Sequence, residues 1–173
     1  VTAVFYISAV TAVVATLLVI TSANAVHALL YLILSLFSVA LTFFSLGAPF
    51  AAALEVIIYA GAIMVLFVFV IMILNLGPQV RTQDRAWITP RNWAGPMVLA
   101  AILSVEVLYV IAANMGEPVA ATEIGPKAVG ISLFGPYLVA VELASMLLLA
   151  GLVGAYHLGR NLKSHAASDR EGS

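Results

Sequence analysis

The chain has 173 residues, of which 64% are hydrophobic and only 9% charged, with a formal net charge of -1. Soluble domains run nearer about 45–50% apolar and about 25% charged, so this is an integral membrane protein, and the near-neutral charge argues against nucleic acid as a partner. Cysteine is absent, which excludes disulfides and cysteine-ligated zinc, iron–sulfur or haem centres in this chain.

A bilayer core about 30 Å thick needs roughly 20 apolar residues per helix. Five stretches qualify: Val4–Ile20, Ala28–Leu46, Phe50–Leu76, Ala94–Ala113 and Ser132–Leu158. The predicted fold is therefore an all-α membrane protein with five transmembrane helices. It forms one domain over residues 1–163, followed by a short polar tail, 164–173, expected to be disordered. The first stretch has no basic n-region or small-residue cleavage site, so it reads as a retained span. Thr21-Ser-Ala-Asn-Ala25 makes a short polar turn to the second span. Gly47-Ala-Pro49 makes a tight turn to the third, with Pro49 suited to the first helical position. Gly77-Pro78 ends the third span.

The third span is overlong: its roughly 27 residues would reach about 40 Å at 1.5 Å per residue. It must tilt, bend or hold a local defect. Ala60-Gly61-Ala62 is where the defect is expected; the same small residues would also suit close helix contact. Arg81, Arg85 and Arg91 follow this span, and Arg160, Lys163 and Arg170 stand in the tail. The 114–131 loop carries only Lys127, beside Glu117 and Glu123. The positive-inside rule then places the 78–93 loop and the C-terminus in the cytoplasm, with the N-terminus and the 114–131 loop outside. That outer loop, rich in Gly and Pro, reads as an ordered cap or irregular hairpin.

Three carboxylates fall within spans: Glu55, Glu106 and Glu142. An ionisable group at membrane depth is costly and marks proton or ion work by default. No lysine or arginine lies at comparable depth, so a cationic partner would come from another subunit, or the carboxyl is protonated, or water reaches it. Glu55 has Tyr59 four residues on, on the same helical face, and Gly61 two further. A phenol can hydrogen-bond a carboxyl or hold a water beside it. Glu142 lies about 15 Å into its span, with Ser145 and Met146 on its face. For it, proton transfer and interhelical hydrogen bonding are both open. Glu106, with Tyr109 three residues on, reads as a structural group nearer the outer interface. His27, His157 and His165 lack metal-ligand spacing, and His27 is expected to be interfacial and solvated. The sequence contains no phosphate loop, nucleophile–base arrangement or other self-contained active site.

His27-Ala-Leu-Leu-Tyr-Leu32, Phe44-Ser-Leu-Gly-Ala48, Leu54-Glu-Val-Ile-Ile-Tyr-Ala-Gly-Ala-Ile-Met-Val-Leu-Phe-Val-Phe-Val70, Lys127-Ala-Val-Gly-Ile-Ser-Leu-Phe-Gly-Pro-Tyr137 and Val141-Glu-Leu-Ala-Ser-Met-Leu-Leu-Leu-Ala150 closely resemble the subunit J family of NADH:quinone oxidoreductase, respiratory complex I. The mitochondrial counterpart is the sixth NADH dehydrogenase core subunit. The resemblance covers roughly residues 5–160, and its most specific part is the Glu-x-x-x-Tyr-Ala-Gly-Ala-Ile-x-Val-Leu-Phe motif. It implies a non-catalytic membrane-arm subunit of a proton pump in the bacterial inner membrane. FMN, iron–sulfur clusters and quinone would be held by other subunits. The expected neighbours are a small subunit with buried glutamates, the quinone-site subunit and the lipid bilayer.

In that family the third span switches between a regular helix and one with a π-bulge near Gly61. The resemblance carries a proton-path role to Glu55 and Tyr59, and more loosely to Glu142. It carries a gating role to Gly61, Met64, Val65 and Phe67. Glu106 departs from the family pattern. Related subunits of cation/proton antiporters and membrane-bound hydrogenases share the motif, and a purely structural assembly role is the remaining alternative.

Overall fold

The computed structural model describes residues 2–74, 90–114 and 124–171. Within them all regular structure is helical, and five helical segments are long and apolar enough to cross a membrane. In chain order the elements are α1 (Thr2–Thr21), α2 (Ala25–Ser45), α3 (Pro49–Leu54), a π-helical segment (Glu55–Ile63), α4 (Met64–Leu74), α5 (Pro90–Asn114), α6 (Pro126–Leu133) and α7 (Leu138–Glu171). They divide into two compact units, Val1–Gly125 and Pro126–Ser173. The predicted loop with Arg81 and Arg85, and residues 115–123 of the Gly/Pro-rich loop, lie outside the described residues.

In the first unit, α1 and α2 form a hairpin. Val4, Ser8, Thr11 and Ala15 recur at spacings of four, three and four, and all four are buried, which is one face of a helix. Leu29, Ser35, Ser38 and Ala40 are buried on α2. Small and hydroxyl side chains let two membrane helices approach closely. The Thr16 and Ser35 hydroxyls stand 2.8 Å apart, and both reach the Ala12 carbonyl, at 2.8 and 3.1 Å.

Both ends of α2 are built by local chemistry. Asn24 caps the start, its side-chain oxygen accepting from the Val26 and His27 amides at 2.8 and 3.3 Å. Such a cap contributes about 1 kcal/mol. At the other end Gly47 takes φ 79°, the left-handed region that favours glycine. The Ala48 amide then donates back to Phe43 O at 3.1 Å, and the Gly47 amide to Phe44 O at 3.0 Å, closing the helix in a Schellman turn. Pro49 follows at the first turn of α3, as its missing N–H allows. The Ile124 amide donates to Gly47 O at 3.1 Å and ties the residue after the undescribed loop to this turn.

α5 packs against α2 and α1. Its helix contains Pro96, preceded by Gly95, where an added Cβ would collide with the Tyr31 hydroxyl. His27 is half-buried rather than fully solvated: its ring meets Trp93 edge-on, with centroids 5.8 Å apart, and its Nε2 is buried. Gly95→Ala is expected to displace Tyr31 and cost about 1–3 kcal/mol as an overpacking substitution. The measurement is the thermal midpoint of the purified assembly; an unchanged midpoint would show that Tyr31 moves away freely.

The second unit corrects the expected fifth span. Instead of one helix from Ser132, a short α6 ends at Leu133, residues 134–137 turn, and α7 begins at Leu138. Pro136 disfavours helical backbone at the residue before it. That residue is Gly135, whose added Cβ would stand 2.7 Å from Ile131 O. α7 continues to Glu171, through residues read from sequence as a tail.

Candidate functional site

The third span is built in three parts. α3 and α4 are α-helical, and Glu55–Ile63 between them is π-helical. The Met64 amide closes the segment by reaching Tyr59 O, five residues back, as well as Gly61 O. A π-helix replaces the i−4 acceptor with i−5, is rare, and is frequent at functional sites. Gly61 is matched to this geometry. An added Cβ there would lie 3.1 Å from Val56 O, the carbonyl five residues earlier.

The segment distributes the candidate residues unevenly. Glu55 opens it and is part-buried; Tyr59 is 49% exposed. No hydrogen bond joins them in this structure, although both lie on one segment one turn apart. Among the described residues Glu55 has no ion-pair partner, and Lys127 is the only Lys or Arg with a described side chain. Met64, only 2% exposed, is buried where α4 meets α2 and the π segment. Its neighbour Val65 is 64% exposed, and Phe67 also faces outward. Of the side chains expected to gate, Met64 thus lies inside the chain, and Val65 and Phe67 lie on its outer surface. Met64→Ala is expected to destabilise by about 2–5 kcal/mol, the range for a buried methionine truncation. Thermal unfolding of the purified assembly measures it; a shift no larger than for Val65→Ala would contradict the burial argument.

Val56 and Ile57 of the π segment also line a cavity of about 650 Å³, with Phe37, Leu41, Leu103 and Val107 among its other walls. These walls are apolar and offer a proton no place to rest. Glu142 belongs to the second unit and is exposed; the Ser145 hydroxyl donates to its backbone carbonyl at 2.7 Å, not to its side chain. Among the described residues no group of three His, Asp or Glu side chains could hold a metal ion.

Glu106, expected from sequence to be a structural group, is 5% exposed within the first unit. The Ser8 hydroxyl donates to its Oε1 at 3.3 Å, while Tyr109 faces away and is exposed. The signal was present on α1 rather than α5: a buried helical stripe with Ser8 and Thr11 in it offers hydroxyls to whatever packs there.

The fold and this segment define a multi-pass helical membrane protein whose third span is interrupted by π-helix beside a glutamate. The sequence model of NADH-ubiquinone/plastoquinone oxidoreductase chain 6 matches residues 15–158, and the chain belongs to that family. It is similar to NADH-quinone oxidoreductase subunit J of Pseudomonas aeruginosa, 65% identical over 157 residues, covering 90% of this chain and 95% of the relative. The Escherichia coli K12 protein of the same name is 60% identical over 156 residues, covering 90% and 85%. That of Buchnera aphidicola from Schizaphis graminum is 51% identical over 160 residues, covering 92% and 98%.

Proposed function

We propose that this chain is a membrane-arm subunit of a proton-translocating NADH:quinone oxidoreductase, and that its third span is a two-state joint on a hydrated proton path. The observation that carries the reading is the π-helical run Glu55–Ile63 with Gly61 fitted against Val56 O. Restoring α-helical bonding changes the register by one residue, which rotates the following helix by about 100°. Met64 would then leave the interior, and a neighbour such as Val65 would replace it. A packed contact of this kind has discrete arrangements rather than a continuum, which suits a switch. In one state apolar side chains around Met64, Val65 and Phe67 interrupt water; in the other, water reaches Glu55 and Tyr59.

Glu55 and Tyr59 sit on a face that this chain leaves partly open. An ionisable group left to lipid would be costly, so the reading puts partner subunits there: the small subunit with buried glutamates and the quinone-site subunit. Glu142 is a further proton-path residue on the same reading. Electron transfer through FMN, iron–sulfur clusters and quinone belongs to other subunits, and this chain contributes no active site of its own. The excess of Arg and Lys in the 78–93 loop and the tail supports a cytoplasmic C-terminus and an outer N-terminus in the bacterial inner membrane.

Affinity purification of the tagged chain tests the assembly. Flavin- and iron–sulfur-containing subunits with NADH:quinone activity are expected. An assembly lacking both would instead favour a cation/proton antiporter.

A further inference from the structure

We propose that Glu106 is a second protonatable site, held as the neutral acid in the contact between α1 and α5, with Ser8 donating to its carbonyl oxygen. The placement of Glu106 carries this. The residue is 5% exposed, and Ser8 is fully buried against it. Oε1 accepts from the Ser8 hydroxyl at 3.3 Å, whereas Oε2 is buried with no hydrogen-bond partner among the described residues. A carboxylate has about four acceptor sites to fill, whereas a neutral acid places an O–H on one oxygen and leaves the other to accept. With one donor on Oε1 and none on Oε2, an ionised carboxylate would leave most of its acceptor sites unfilled, whereas the acid leaves a single O–H to satisfy.

Among the described residues, the surroundings offer no countercharge. α5 packs against α1 and α2. The titratable side chains on those helices are Tyr6, which is mostly exposed, and His27 and Tyr31. The last two meet α5 at Trp93 and Gly95, about 20 and about 16 Å along the helix from Glu106 at 1.5 Å per residue. Tyr109, on α5 itself, faces away. An ionised Glu106 would be an uncompensated buried charge, which proteins avoid by neutralising the group. Ionisation therefore requires the α1–α5 contact to open to water, so the proton and the helix contact are linked. The site is independent of Glu55 and stands or falls separately from the third-span joint.

Infrared spectroscopy of the intact complex at neutral pH tests the site, comparing wild type with Glu106→Gln and Ser8→Ala. The wild-type-minus-Gln difference should contain a protonated-carboxyl C=O band. In Ser8→Ala the same band should move to higher frequency, because the carbonyl loses its donor. Carboxylate bands in place of the C=O band overturn the proposal, as does a C=O band that ignores Ser8→Ala. If Glu106→Gln fails to assemble, wild type against Ser8→Ala still reads the band: a shift supports the site, and no shift overturns it.

Discussion

Gly61→Val is expected to lower coupled proton translocation by roughly tenfold or more while leaving the assembled complex in normal amount. The hypothesis rests on the 3.1 Å between an added Cβ and Val56 O. That distance is tighter than ordinary van der Waals contact, and valine adds two further methyl groups. Overpacking costs about 1–3 kcal/mol, and about 1.4 kcal/mol is a factor of ten in an equilibrium. The burden falls on the π-helical form, because the carbonyl five residues back is the π acceptor. The substitution should therefore drive the span toward the α form. A joint that must visit both states then loses one. Proton uptake by reconstituted vesicles, normalised to the amount of intact complex, is the measurement. Wild-type translocation in this variant would sink the joint. Failure to assemble would point to a structural role, and the smaller Gly61→Ala would separate the two outcomes by a graded effect.

Glu55→Gln is the second large effect expected. Glutamine keeps the shape and hydrogen-bonding reach of glutamic acid but neither stores nor releases a proton at neutral pH. Glu55 has no ion-pair partner among the described residues, so the substitution breaks no charge pair among them. Assembly should be normal. Translocation should fall, with proton transfer slowed by roughly 10²-fold or more if the carboxyl is an obligatory relay. Unchanged translocation would reduce Glu55 to a structural group. Tyr59→Phe should have a smaller effect, since the phenol can only hold a water or donate a bond, and in this structure it bonds no carboxyl.

The spans were legible because lipid imposes a simple rule: some 20 apolar residues, all backbone groups bonded within the helix. The turns were legible where one residue type has one job. Gly47 at φ 79° and Pro49 at the start of α3 follow from sterics alone. The break at Gly135-Pro136 obeys the same rules but is masked in the sequence, because the surrounding residues are apolar enough to continue a span. The length of the third span announced a defect near Gly61, and the motif suggested its kind. The division of Met64 from Val65 was not legible, since both are apolar and adjacent, and only the helix register sets which one faces α2.

Glu106 draws the line between the two sources. The sequence by itself determined that this is a helical membrane protein, that Glu55, Glu106 and Glu142 are its intramembrane carboxylates, and that no lysine or arginine in the spans answers them. Those are matters of composition, hydrophobic length and charge. Whether a carboxylate faces lipid, a partner or its own bundle was decided only when α5 packed on α1. That contact joins Ser8 to a residue 98 positions away. Local periodicity fixes the face of one helix, but no local signal states which second helix will cover it. Burial, and with it the protonation state and the chemistry of a carboxyl group, is a property of the pair.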